Sequence, residues 1–175
     1  MQDQNWLFAY GSLMWDPGFT VAERMIGTLE GFHRSFCLRS IVYRGTPDQP
    51  GLVLGLDESD GAICRGVALR VGDTDWPQVI EAVRERELSI YAYREAVLPV
   101  ALADGRRVQA ITYVMQRDHD QYAGGLCATE QARILAAATG GRRPKHNKQK
   151  KTAAQLAELG LPDPEMEALA AEVRK

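Results

Sequence analysis

The stretch from Asp75 to about Ile90 carries a carboxylate where a core side chain is due. Trp76, Val79, Ile80 and Val83 recur at three- and four-residue spacing and define one apolar helical stripe. The next positions of that stripe hold Arg86 and Glu87, before Leu88 resumes the apolar character. Glu81, Arg84 and Glu85 fall mostly on the opposite, solvated face. A carboxylate buried without a partner is costly, and burial makes it hold its proton to higher pH. A group poised in that way can serve as a general base near neutrality. Two plainer readings of Glu87 stand beside this one: an ion pair with Arg86 or Arg94, or a frayed helix end that leaves it in solvent.

A second candidate lies near the start of the chain. Phe8-Ala9-Tyr10-Gly11-Ser12-Leu13 reads as a strand running into a glycine turn. Gly11 permits positive φ and close approach by a ligand. Consecutive amides in such a turn can form a nest for a carboxylate, and Ser12 adds a hydroxyl. An ordinary strand-ending turn accounts for the same pattern.

The elements around these two features are short strands and turns for the first two-thirds of the chain. Strands are predicted at Trp6 to Tyr10, Ile26 to Gly31, His33 to Tyr43, Gly51 to Leu56, Ala62 to Val71, Arg94 to Leu102 and Val108 to Met115. Ala103-Asp104-Gly105-Arg106 joins the last two as a hairpin turn. The helix that carries Glu87 has Asp75 as its cap, Pro77 in its first turn and Gln78 at the capping-box position. Helices follow at Thr129 to Thr139, Thr152 to Leu159 and Pro164 to Val173, with Gly140-Gly141 and Gly160 as stops. Clustered strands, one interrupting helix and terminal helices read as an α+β fold with a six-to-seven-strand sheet or barrel.

Composition excludes several classes. The chain has 175 residues, 45% hydrophobic and 25% charged, which is one ordinary globular domain spanning 1–175. Lys and Arg number 21 against 23 Asp and Glu, so there is no global basic field and nucleic acid is not an expected partner. The clean apolar runs are too short to span a membrane, and Met1-Gln2-Asp3-Gln4 does not open a secretory signal. Cys37, Cys64 and Cys127 are an odd number without CxxC spacing, which argues for reduced thiols in a cytoplasmic protein. Cys37 and Cys64 read as packing residues. His33, His119 and His146 lack ligand spacing, so no metal site is expected. Arg34 and Arg44, within strand-and-turn blocks, read as structural hydrogen-bonders or surface pairs rather than ligand binders.

Phe8-Ala9-Tyr10-Gly11-Ser12-Leu13-Met14-Trp15-Asp16-Pro17-Gly18-Phe19 resembles the opening of the ChaC-type γ-glutamylcyclotransferases. Gly31-Phe32-His33-Arg34-Ser35-Phe36-Cys37, Arg44-Gly45-Thr46-Pro47 and Pro50-Gly51-Leu52-Val53-Leu54-Gly55-Leu56 extend the likeness. So do Arg86-Glu87-Leu88 with Tyr93 six residues beyond Glu87, Gln121-Tyr122-Ala123-Gly124-Gly125, and Leu159-Gly160-Leu161-Pro162-Asp163. The resemblance implies a mixed β-barrel-like core with flanking helices. It implies an enzyme that cleaves glutathione, or another γ-glutamyl compound, to 5-oxoproline, with no metal or organic cofactor. Carried over by position, it makes Glu87 the catalytic acid/base, Tyr10, Gly11, Ser12 and Leu13 the loop that holds the γ-glutamyl carboxylate, and Tyr93 a wall of the site. A non-catalytic ligand-binding module of the same fold is the rival from another class.

The chain departs from that family in one segment. The family places a tyrosine near the start of its C-terminal helix, and the matching position here is Lys148 or Lys150, depending on the anchor of the alignment. Six of the ten residues from Arg142 to Lys151 are Lys or Arg. Three readings apply to this run: a solvated loop, a lysine that meets an anionic group of the substrate, or a patch for a polyanion or acidic partner.

Overall fold

The computed structural model describes residues 4–45, 50–89, 91–139, 153–154, 156–161 and 163–173, with the side chains of 40–45, 50, 128, 137–139, 172 and 173 left aside. The basic run from Arg142 to Lys151, with His146, Lys148 and Lys150, lies outside these residues, as does the side chain of Arg44. The named strands are five: β1 (Trp6–Ala9), β2 (Glu23–Gly45), β3 (Pro50–Arg70), β4 (Tyr93–Leu102) and β5 (Arg107–Met115). They close into a barrel in the order β1-β3-β2-β4-β5. The helices are α1 (Trp76–Leu88), α2 (Ala128–Thr139) and α3 (Pro164–Val173).

The strand count falls short of the six to seven expected, because two pairs of expected strands are continuous. Gly31 and Gly61 both sit at positive φ, +85° and +77°. Glycine takes that conformation at little steric cost. Strand structure nevertheless continues through both residues.

The chain forms two compact units. The first comprises residues 1–34 and 56–116, the second 35–55 and 117–175, and β2 and β3 run from one into the other. In the first unit β1 pairs antiparallel with β3, Trp6 opposite Arg70 through Ala9 opposite Val67. Its other edge pairs parallel with β5, Trp6 opposite Ala110 and Leu7 opposite Ile111. All four residues of β1 are buried. That explains its unbroken apolar run, since a strand covered on both faces has no side to give to polar residues. The core gathers Trp6, Phe8, Leu29, Leu56, Cys64, Ala68, Val100, Leu102, Val108, Ala110 and Val114. The hairpin between β4 and β5 forms as expected: Gly105 has φ +95°, and Asp104 Oδ1 accepts from the Arg106 amide at 3.0 Å.

Arg34 is buried in this unit, donating to the Arg65 carbonyl and to Cys64 Sγ. It serves the structure, as expected. Cys64 and Cys37 are buried packing residues, while Cys127 is exposed. In the second unit α2 and α3 pack together, and Ala132 and Leu135 of α2 and Met166, Leu169 and Ala170 of α3 are buried. Helical residues 153–154 and 156–158 end where expected. Gly160, at φ +71°, donates to Ala157 O at 3.0 Å while Leu161 donates to Leu156 O at 2.8 Å. Those two bonds are the Schellman pattern that satisfies the last carbonyls of a helix.

Candidate active site

β1 delivers the chain to the glycine turn. A 3-10 turn, Ser12–Met14, follows Gly11 directly. It closes with Met14 N donating to Gly11 O at 2.9 Å and Asp16 N donating to Ser12 O at 2.7 Å. The amides of Ser12 and Leu13 stand ahead of this bonding, as first-turn amides do. Leu13 and Met14 are buried and seat the turn. Arg24 Nη1 donates to Met14 O at 2.8 Å, and Thr112 Oγ1 of β5 donates to Phe8 O at 3.1 Å just upstream. Gly11 itself has φ −137°. The positive φ expected there falls instead at Gly18, φ +79°, where the chain returns towards α1.

α1 places Glu87. Val79, Ile80 and Val83 are buried along the expected stripe. Its N-cap Asp75 makes no side-chain cap bond, contrary to the capping-box expectation. The entry is instead held by Asn5, whose Nδ2 donates to Asp73 Oδ1 at 2.7 Å. The far end is not frayed: the helix continues to Leu88, and Ser89 Oγ donates back to Arg86 O at 3.2 Å. The Glu87 side chain keeps 18% of its exposure against 38% for Arg86. The carboxylate therefore lies partly inside, at the phase its sequence position indicates.

Arg86 connects the two candidate features. Its Nη2 donates to Ser12 Oγ at 2.8 Å and its Nη1 to the Asp16 carbonyl at 3.0 Å. Its Nε stands 3.7 Å from Glu87 Oε1, beyond hydrogen-bond distance. The Arg86–Glu87 contact considered from the sequence is thus present but long, and the short bonds of this guanidinium go to the glycine turn. Arg94, the other partner considered, bonds Glu58 at 2.8 Å. The Ser12 hydroxyl is engaged by Arg86 as well as being a member of the turn.

A polar group on the neighbouring strands completes the surroundings. Glu95 of β4 receives Arg84 Nε at 2.8 Å and Arg84 Nη2 at 3.0 Å, and the Tyr113 hydroxyl of β5 donates to it at 3.0 Å. The bonds from Arg84, and then that from Tyr113, hold the Glu95 carboxyl below the usual range against the opposing effect of burial. Burial, and then the negative charges of Glu95 and Glu87, push the Tyr113 phenol well above its ordinary value. The charge of Glu87 is thus felt at Tyr113. Neither Glu95 nor Tyr113 was singled out from sequence, where Tyr113 looks like any strand aromatic.

Tyr93 opens β4 and is buried. Gln116 pins this stretch, its Nε2 donating to Tyr91 O at 2.8 Å and to Tyr93 O at 3.3 Å. Tyr10 is half-buried and packs against the barrel core. The structure therefore links Ser12 to the helix end that carries Glu87 through Arg86, keeps Gly11 and Leu13 beside Ser12 in one turn, and buries Tyr93 and half-buries Tyr10 in the same unit. Among the described residues no group of three or more His, Cys, Asp or Glu could hold a metal ion, and no helix is long and apolar enough to cross a membrane.

Comparison with known proteins agrees with this architecture. The chain is 36% identical over 170 residues to the glutathione-specific gamma-glutamylcyclotransferase of Escherichia coli (strain K12), covering 97% of this chain and 73% of that protein. It is 27% identical over 175 residues to gamma-glutamylcyclotransferase 2-3 of Arabidopsis thaliana, covering 97% and 88%. A crystal structure of a gamma-glutamyl cyclotransferase specific to glutathione from yeast superposes with a TM-score of 0.83 at 20% identity, covering 97% of this chain and 95% of that one. It has the same fold. Residues 5–175 match the family model described as ChaC-like protein, and the chain belongs to that family.

Proposed function

We propose that this protein is a γ-glutamylcyclotransferase that cleaves glutathione to 5-oxoproline and cysteinylglycine, with Glu87 as its proton shuttle. The observation that carries the reading is the bridge from Arg86 to Ser12 and Asp16, which ties the glycine turn to the helix end that bears the partly buried Glu87. The names of the relatives in Escherichia coli and Arabidopsis thaliana support the reaction. The family match across residues 5–175 supports treating the whole chain as one working domain.

The substrate contains its own nucleophile. The α-amine of the γ-glutamyl group attacks the δ-carbonyl carbon, a C–N bond closes the five-membered lactam, and the original amide C–N bond breaks. The α-amine is largely protonated at neutral pH, so it releases one proton to solvent before it attacks and a second as the lactam forms, while the departing cysteinylglycine amine must gain one. One carboxylate between them, Glu87, accepts the second and passes it to the leaving group, so no water is consumed. Holding the chain folded in attack geometry makes the step intramolecular, an effect that can contribute about 7–11 kcal/mol. The amides of Ser12 and Leu13, with Gly11 and Tyr10 beside them, bind the α-carboxylate or the charge that develops on the carbonyl oxygen. Tyr93 forms part of the wall. The three free thiols, Cys37, Cys64 and Cys127, fit a cytoplasmic enzyme that works in the compartment of reduced glutathione.

The test is incubation of the purified protein with glutathione, with 5-oxoproline and cysteinylglycine followed by mass spectrometry and Glu87→Gln alongside. Both products are expected from the wild type and neither from the variant. Activity retained in Glu87→Gln removes this residue from the shuttle. A wild type silent with glutathione but active on another γ-glutamyl amine moves the substrate and keeps the chemistry. Silence with the whole panel leaves a ligand-binding module.

A further inference from the structure

We propose that Arg86 is a positioning residue for this reaction, holding the glycine turn and the Glu87 carboxylate as one rigid unit. The inference rests on the function proposed above and assigns a role to a residue outside the proton transfer itself. Three surface arginines of the first unit allow a comparison. Arg84 and Arg94 each meet a carboxylate, Glu95 and Glu58. Arg86 alone of the three directs its short bonds to neutral oxygens, Ser12 Oγ and the Asp16 carbonyl, 74 and 70 residues away in the chain.

Those two oxygens lie at opposite ends of the turn. Ser12 opens the 3-10 segment and Asp16 follows its close. One planar fork that bonds both fixes the turn's length and tilt together, which a single-point ammonium cannot do. Gly18 brings the outgoing chain back past the same guanidinium: a Cβ built there would lie 4.0 Å from Arg86 Nη1. Because Arg86 and Glu87 are consecutive on α1, any movement of the turn relative to the helix changes the distance between the turn amides and the shuttle. A displacement of about 1 Å at such a site can cost about 100-fold in rate.

Arg86 also brings charge. Its Nε faces Glu87 Oε1 at 3.7 Å, and a cation at that range favours the ionised carboxylate. On β5 the Tyr113 phenol feels the charge of Glu87 and bonds Glu95 of β4, which is paired with Arg84. Loss of Arg86 removes that cation from beside Glu87. The acid limb of activity should then move to higher pH.

Arg86→Met keeps the aliphatic stem and removes the fork. Arg86→Lys keeps the charge and loses the fork. With glutathione as substrate across about pH 5–9, Arg86→Met is expected to lower kcat/KM by about 10- to 100-fold and to shift the acid limb of kcat/KM upward. Arg86→Lys is expected to return the limb towards wild type while most of the loss in kcat persists. Amide hydrogen exchange at residues 10–16 is expected to accelerate in both variants, with the thermal midpoint little changed. Wild-type kcat, KM and acid limb in Arg86→Met, or complete rescue by lysine, would overturn the assignment. If the wild type turns over no γ-glutamyl compound, the proposed function falls. The exchange measurement then decides the clamp by itself, and unchanged exchange at 10–16 overturns it.

Discussion

Gly66→Ala should be among the most damaging single-methyl additions to this protein, and the reason lies in β1. Gly66 sits on β3 next to Val67, which pairs with Ala9. A Cβ at position 66 would overlap the Ala9 carbonyl oxygen and would stand 2.9 Å from Phe8 Cζ and 3.2 Å from Phe8 Cε2, where ordinary contact begins at 3.4 Å. The carbonyl is backbone and cannot rotate aside, and Phe8 is buried in the core. Gly66 lies outside the left-handed region, so alanine meets no φ penalty and gains roughly 0.5–1 kcal/mol in backbone entropy. Overpacking of this kind costs about 1–3 kcal/mol, and overlap with backbone belongs at the upper end, for a net loss of about 2 kcal/mol. For a chain of this size that is a fall in Tm of roughly 4–8 °C. Gly27→Ala provides the internal standard. Its Cβ would meet a side-chain methyl, Val100 Cγ1, at 2.7 Å, with the next atoms at 3.5 and 3.7 Å, and a shifted methyl is cheaper than a shifted peptide. Thermal unfolding by circular dichroism measures both, and kcat/KM on the same samples reports whether the displaced Ala9 peptide disturbs the turn that begins at Tyr10. A Gly66→Ala protein with wild-type Tm, or one more stable than Gly27→Ala, would refute the reasoning.

The remaining predictions concern the polar groups around the same strands. Thr112→Val removes the buried bond to Phe8 O and is expected to cost about 1 kcal/mol, a drop in Tm of roughly 2–4 °C. Glu95 has its folded pKa depressed, so the stability it supplies is complete above its ordinary value of 4.5 and is lost as pH falls through the lower folded value. Urea unfolding midpoints as a function of pH should show that acid loss in the wild type and a shallower one in Glu95→Gln. Tyr113 has its pKa raised, so its contribution is complete below the ordinary value of 10.0 and declines above it, as the unfolded chain ionises first. Tyr113→Phe should flatten the alkaline side, and ultraviolet titration should find one phenol that ionises late.

Local patterning carried most of the elements and part of the site. The stripe of Val79, Ile80 and Val83 placed Glu87 correctly at a partly buried phase. The strand end expected at Gly31 and the gap expected from 57 to 61 are not breaks: both strands run through, with Gly31 and Gly61 at positive φ, and a glycine inside a strand looks the same in sequence as one that ends it. Asp75 has the composition of a cap without the bond, since Asp73 is the acid that Asn5 reaches from a distant segment. Arg86 was considered as a partner for its neighbour Glu87. Its actual bonds to Ser12 and Asp16 depend on how α1 comes back to β1, and no periodicity along the chain encodes that. The same holds for Tyr113 with Glu95, and for the parallel seam between β1 and β5, where neither strand's own pattern names its partner. The basic run that departs from the family lies outside the described residues.

That parallel seam orders the making of the protein. β1 is held on one edge by residues 67–70 and on the other by residues 110 and 111, and the Phe8 carbonyl waits for a hydroxyl 104 positions downstream. On a ribosome, the strand that leads into the glycine turn emerges before either of its neighbours and cannot be enclosed until β5 has followed. Contacts of such sequence separation are slow to form, because the loop they close must be ordered before they return any stabilisation. Until then Trp6, Leu7 and Phe8 remain uncovered, the sort of apolar strand that invites association between nascent chains. The glycine turn is thus among the earliest segments translated and among the last to acquire its shape.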